Sequence, residues 1–130
     1  MTANNYDIIG YMPVKVEDIP DYDPAKGYII TNCKGDCMNS PRSPMRIKDG
    51  DRVLSHPIDK AEAVQHIGKV IGVKMQGVPY YDDCILVKEL TGATDYAGLE
   101  LRCYNPPTSI VISWCAVETV YLIDAILFQK

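Results

Sequence analysis

The sequence predicts a single mainly-β, largely antiparallel domain with one short helix, and three observations carry that expectation. Aromatic usage is lopsided, with nine tyrosines against one tryptophan and one phenylalanine, and tyrosine, valine and isoleucine favour strands. The apolar segments are short and closely punctuated by turn residues. The chain has 130 residues, so a second independent core would leave too few residues for either.

The elements follow in order. Residues 1–27 hold Pro13, Pro20 and Pro24 among scattered acids and read as an extended N-terminal arm; residues 28–130 read as the domain proper. Residues 28–34 form a first strand. Lys48-Asp49-Gly50 is a turn signal that introduces a second strand over residues 51–55. Residues 58–66 compete as a helix about two turns long, with Asp59 as N-cap and Gly68 as stop. Residues 70–75 and 84–90 pair around a loop that holds Gly77, Pro79, Asp82 and Asp83. Residues 99–104 and 109–113 flank Asn105-Pro106-Pro107, and neither proline can donate to a ladder. Residues 120–128 make a final, mostly apolar strand.

Composition excludes several function classes. Lys+Arg 13 against Asp+Glu 17 gives a formal net charge of −4, and the basic residues form no cluster. The chain is therefore not expected to bind nucleic acid directly, since gripping a duplex takes concentrated positive charge. No apolar run reaches the length of a membrane span and no signal-peptide pattern opens the sequence, so a cytoplasmic protein without membrane contact is expected. Cys33, Cys37, Cys84, Cys103 and Cys115 are an odd set without paired CxxC spacing, and His56 and His66 are the only histidines. Neither a zinc site nor a secreted disulfide framework is expected, and no cofactor is implied. Cys84, Cys103 and Cys115 read as small core hydrophobes.

Two stretches carry candidate chemistry. Gly35-Asp36-Cys37-Met38 is a glycine turn with a nucleophile-type residue at its bend, where following amides can face a developing oxyanion. An ordinary hairpin with a cysteine at the bend accounts for the same residues. In Cys84-Ile85-Leu86-Val87-Lys88-Glu89-Leu90, strand alternation sets Leu86, Lys88 and Leu90 on one face. A lysine between two leucines is partly desolvated, which lowers its pKa and favours the neutral amine of a general base. A lysine whose stem lies on apolar surface while its ammonium reaches water fits equally well.

Taken together, Gly35-Asp36-x-Met38, then Ile47-x-Asp49-Gly50-Asp51, then Val87-Lys88-Glu89-Leu90 resembles the peptidase domain of LexA-type repressors. That group includes phage repressors and UmuD-like polymerase accessory proteins within the wider signal-peptidase-like fold. Leu101-Arg102-Cys103-Tyr104-Asn105-Pro106-Pro107 and the segment after Val117 are similar to the end of phage-type members. The resemblance spans roughly residues 28–130. It implies a fold of bent, largely antiparallel sheets that pairs as a homodimer. It also implies Cys37 at the nucleophile position and Lys88 at the general-base position, 51 residues apart, with Gly35, Asp36 and Met38 around the oxyanion turn and Asp49, Gly50 and Asp51 as structural motif. Members cut their own chain at an upstream Ala-Gly or Cys-Gly bond when a recombinase filament stabilises the cleavable conformer, in SOS or phage-repressor regulation.

This chain departs from the family pattern in three ways. A cysteine stands where members carry serine, and a Cys–Lys pair that rests as thiolate and ammonium lacks a free base. Upstream of Cys37 the sequence has no Ala-Gly or Cys-Gly bond. No helix-turn-helix pattern precedes the domain, which leaves a stand-alone member or a piece of a longer repressor. The leading expectation is a LexA-like self-cleaving regulatory domain. The alternatives are an inactive dimerisation module of that fold, a UmuD-like polymerase accessory subunit, and a thiol redox sensor in which Cys33 resolves an oxidised Cys37. Two structural expectations follow: Cys37 and Lys88 meet, and of Trp114, Val117, Val120, Leu122, Ile126 and Phe128 one strand face packs inward while the remainder contributes to a symmetric dimer interface.

Overall fold

The computed structural model describes residues 5–77, 85–94 and 96–128. It is mainly β, with nine strands among the described residues: β1 (Tyr6–Ile9), β2 (Met12–Lys15), β3 (Ile29–Asn32), β4 (Arg52–Ile58), β5 (Val70–Met75), β6 (Ile85–Thr94), β7 (Gly98–Tyr104), β8 (Pro107–Ile112) and β9 (Val117–Phe128). β1 and β2 form a separate two-stranded sheet, and the other seven form one open sheet in the order β3-β4-β9-β5-β6-β7-β8. Every described pairing is antiparallel.

The centre of the sheet follows from residue type. Val70-Ile71-Gly72-Val73-Lys74 is buried throughout, because β5 lies between β9 and β6 with both faces covered. A Cβ on Gly72 would come 2.6 Å from Ile85 Cγ2, so only glycine fits where β5 and β6 close on each other. Ile71, Val73, Leu90, Leu99, Leu101, Val117 and Val120 are fully buried in one core cluster. A second cluster gathers Cys33, Met38, Ile47, Val53, Val70 and Ile123, with Cys37, Val87 and Tyr104 packed against it. This second cluster positions the candidate site.

Several expectations are corrected. The segment read as an extended arm folds back as the β1–β2 hairpin, with Ile9 opposite Met12. Gly10 and Tyr11 both have positive φ (56° and 66°), the pattern of a tight two-residue hairpin turn. Ile9, Val14 and Ile19 are then buried against Leu54 of β4. The helix over residues 58–66 is a 3-10 helix, Lys60–His66, since β4 runs on through Ile58. Asp59 precedes it without a side-chain cap. Pro107 does join a ladder, as the first residue of β8 opposite Tyr104; β8 is an outer strand, where a missing donor faces no neighbour. The loop residues Pro79, Asp82 and Asp83, and Cys84, lie outside the described residues.

Part of the C-terminal apolar set packs inward, as expected of one strand face. Val117 and Val120 are fully buried, and Trp114 and Leu122 pack against the same cluster. Ile126 packs against the second. The side chain of Phe128 lies outside the described residues. Exposed large hydrophobics are found elsewhere, at Ile8, Tyr11, Val64, Ile67, Ile110 and Val111 among others. No described helix is long and apolar enough to cross a membrane.

Candidate active site

β3 and β4 are joined by residues 33–51, and the base of this loop is closed by paired backbone bonds. Cys33 N–H donates to the Asp51 carbonyl and Gly50 N–H to the Cys33 carbonyl, each at 2.8 Å. Gly35 and Gly50 take φ of 84° and 88°, which a side chain resists. Above them the acids brace one another's turns. Asp49 Oδ1 accepts from Gly35 N–H at 2.7 Å, and Asp36 Oδ1 accepts from Asp49 N–H and from Asn39 Nδ2, both at 3.1 Å. These two bonds hold the Asp36 carboxyl below its ordinary pKa, the backbone donor contributing most. Asp51 is fully buried; its Oδ2 accepts from Lys48 N–H at 2.8 Å, while Oδ1 has no partner among the described residues.

The sequence motif thus divides by task. Asp36, Asp49, Gly50 and Asp51 shape the loop. Met38 anchors it, only 3% exposed in the second core cluster. Gly35 spends its N–H on Asp49, so it serves the turn and not an oxyanion. Cys37 is left half-buried at the bend, and its own N–H and that of Met38 carry no hydrogen bond among the described residues.

Lys88 reaches this bend from β6, on the other side of the sheet's centre. Its Nζ donates to Cys37 Sγ at 2.9 Å. On the strand face, Leu90 is fully buried while Leu86 is 37% exposed, so Lys88 stands midway between core and solvent. Burial lowers its pKa from the ordinary 10.5. The pair opens into a small pocket of about 160 Å³, lined also by Cys33, Gly35, Met38, Ile47 and Val87. Larger pockets of about 580 and 510 Å³ lie elsewhere, one beside Trp114 and one beside His56.

The feature that sequence reasoning missed is Cys103. It sits near the end of β7, and Cys37 is joined to it by a disulfide, with Cα atoms 5.5 Å apart, within the span such a bond requires. The neighbouring Tyr104 and Asn105 both donate their N–H groups to the Cys37 carbonyl at 2.9 Å, so the nucleophile loop is docked on the end of β7. Cys103 is therefore not a simple core residue, and Cys115, read the same way, is exposed. Cys33, read as the resolving cysteine, is a free, buried thiol; burial, aided by the Asp51 carboxylate, pushes its pKa up to about 11. Alternation along β7, with Leu99 and Leu101 buried on the face that Cys103 shares, was a faint signal for Cys103 pointing inward. Its meeting with Cys37 depends on the register of the four pairings that link β4 to β7 through β9, β5 and β6. Next to the pair, Tyr104 OH donates to Glu89 Oε1, which raises the Tyr104 pKa, and Arg102 lies over the Tyr104 ring at 5.3 Å.

Among the described residues, no group of three or more His, Cys, Asp or Glu is placed to hold a metal ion. No protein-family model matches the chain, and no curated protein or solved structure matches it either.

Proposed function

We propose that the chain is a LexA-like peptidase-type regulatory domain whose reduced form uses Cys37 as nucleophile and Lys88 as base. The observation that carries this reading is the 2.9 Å approach of Lys88 Nζ to Cys37 Sγ, made between a β6 residue and a residue of the β3–β4 loop 51 positions earlier. A desolvated lysine holds its proton less firmly, which is what a base working near neutral pH needs. The chemistry is acyl transfer. Cys37 sulfur attacks a peptide carbonyl, its proton passes to Lys88, and Lys88 returns a proton to the leaving amine. A thioester remains, and a water molecule activated by neutral Lys88 hydrolyses it. The N–H groups of Cys37 and Met38 are the available donors for the oxyanion. On this reading the domain acts as a homodimer in SOS or phage-type regulation, with a recombinase filament or a lesion-bypass polymerase as partner.

The test is cleavage of linker peptides that carry Ala-Gly or Cys-Gly bonds, followed by mass spectrometry from neutral to alkaline pH under reducing conditions. Cys37→Ser is expected to cut at least as well as the native form, because the resemblance implies a pocket shaped around a hydroxyl. The rate should rise with pH, and Cys37→Ala and Lys88→Ala should each abolish it. If neither the native nor the serine form cuts at any pH, the peptidase reading is wrong. A non-catalytic regulatory module then replaces it. One observation favours a second reading, thiol chemistry at the same residue: the Cys37–Cys103 bond itself.

A further inference from the structure

Three sulfurs and one amine occupy the neighbourhood of the Cys37 bend, and they are not equivalent. Cys33 is buried at 7% exposure and its thiol resists ionisation, so it is a poor partner for exchange. Cys103 is half-buried and held with its Cα 5.5 Å from that of Cys37. Two backbone bonds from Tyr104 and Asn105 to the Cys37 carbonyl keep that separation without help from the sulfurs. Closing or opening the bond thus needs no large backbone movement. Lys88 Nζ donates to the Cys37 sulfur at 2.9 Å, so the cation favours the thiolate on that cysteine. A dithiol with one activated member, one resolving member in reach and a pocket in front is the arrangement that thiol–disulfide exchange requires.

We infer that Cys37 is a thiol–disulfide exchange site resolved by Cys103, and that its reactant is a low-molecular-weight disulfide, for which oxidised glutathione serves as the probe. In the first step the Cys37 thiolate attacks one sulfur of oxidised glutathione. The glutathione S–S bond breaks, one glutathione leaves with the electron pair, and a mixed disulfide forms on Cys37. In the second step Cys103 sulfur attacks the Cys37 sulfur of that mixed disulfide, and the second glutathione leaves. The two protons of the protein thiols end on the two glutathiones. The protein has lost two electrons and the small disulfide has gained them. The exchange itself stands on the cysteine geometry; its regulatory meaning rests on the peptidase reading, since the closed bond withdraws Cys37 from attack on a peptide.

The experiment equilibrates the full reduced chain in glutathione buffers of graded oxidised fraction, quenches in acid, alkylates the free thiols and maps peptides by mass. A Cys37–Cys103 link that grows with the oxidised fraction supports the inference. Cys103→Ser should stop at a glutathione mixed disulfide on Cys37, and Cys33→Ser should still form the native link. Lys88→Met should slow closure at neutral pH by about tenfold or more, the factor that one close ion pair in a water-like dielectric represents. Absence of the link at every ratio overturns the inference, as does a Cys33–Cys37 link or an unmodified Cys37 in Cys103→Ser. Parallel cleavage assays separate the two readings. Cutting by the native form that ceases as the link forms, beside Cys37→Ser that ignores oxidised glutathione, supports the gate; cutting that continues at full rate with the link closed overturns it. A chain that cuts nothing in any form sinks the peptidase reading, while the thiol map alone still decides the exchange pair.

Discussion

Replacing Lys88 by methionine keeps most of the side-chain volume and removes the amine, so it isolates what the charge does to Cys37. At the 2.9 Å that separates Lys88 Nζ from Cys37 Sγ, the ammonium and a thiolate released by reduction would attract by about 1.4 kcal/mol in a water-like dielectric and by about 6 kcal/mol at an effective dielectric near 20. The half-buried pair lies between these limits, so the smaller figure is a floor, and about 1.4 kcal/mol is a factor of about ten. Burial of the sulfur opposes ionisation equally in both forms and cancels from the ratio. Lys88→Met should therefore slow alkylation of Cys37 by iodoacetamide at least about tenfold at neutral pH, since the thiolate is the reacting species. The difference should shrink at pH high enough to ionise the thiol in both forms. The measurement uses the reduced chain with Cys84, Cys103 and Cys115 changed to serine; Cys33 is silent because burial keeps its thiol protonated up to about pH 11. Alkylation rates within twofold of each other at every pH would show that Lys88 does not act on the sulfur, and the base assignment would fall with them.

Three further outcomes are expected. Because burial lowers the Lys88 pKa from 10.5, the unfolded chain keeps that proton to higher pH than the folded one, and between the two values stability rises with pH. In urea titrations of the oxidised protein, the advantage of Lys88→Met over the native form should be full at neutral pH and fade toward pH 10.5; an advantage that grows with pH would contradict the burial argument. Gly98→Ala adds a Cβ that runs into the Ile112 carbonyl oxygen and lies 2.9 Å from its carbon, at φ of 102°, so strain and overpacking should together cost roughly 2–5 kcal/mol. Gly10→Ala, also at positive φ but with nothing within 4 Å, should cost only about 1–2 kcal/mol, and equal losses at the two sites would refute the close approach. Reducing the Cys37–Cys103 bond, which spans 66 residues, should lower unfolding free energy by roughly 2–4 kcal/mol, whereas an unchanged urea midpoint would mean the bond constrains nothing.

Sequence reasoning succeeded where one strand's own residues decide its state. β5 was legible to its end residues because Val70, Ile71 and Val73 suit a strand and Gly77 follows as a breaker. Asp49-Gly50 marked its turn through a glycine that takes φ of 88°. It failed where a distant strand decides. Pro107 enters β8 because that strand has a free side, a fact about its neighbours. Ile58 extends β4 because it pairs with Val120 of β9, so the helix behind it lost its first turn. The β1–β2 hairpin hid because Gly10-Tyr11 is not one of the strong two-residue turn signals. Within the site, Cys37 and Lys88 were found through an ordered motif. Cys103 carries no motif, and only the docking of β7 against the Cys37 loop gives it a role.

The strand order β3-β4-β9-β5 has a consequence in time. β9 is the last described strand to leave the ribosome, yet it lies between the two halves of the large sheet, pairing with β4 on one side and β5 on the other. Cys37 belongs to the half that is made first, while Lys88 and Cys103 ride on β6 and β7 of the second half. No ladder joins those halves until β9 slots in as the keystone. Synthesis proceeds at about 5–20 residues per second, so for roughly 1–3 seconds after β8 is made the chain lacks the full strand that aligns sulfur with amine. The alignment of sulfur with amine thus depends on a strand that carries neither of them, together with the bonds from Tyr104 and Asn105 to the Cys37 carbonyl.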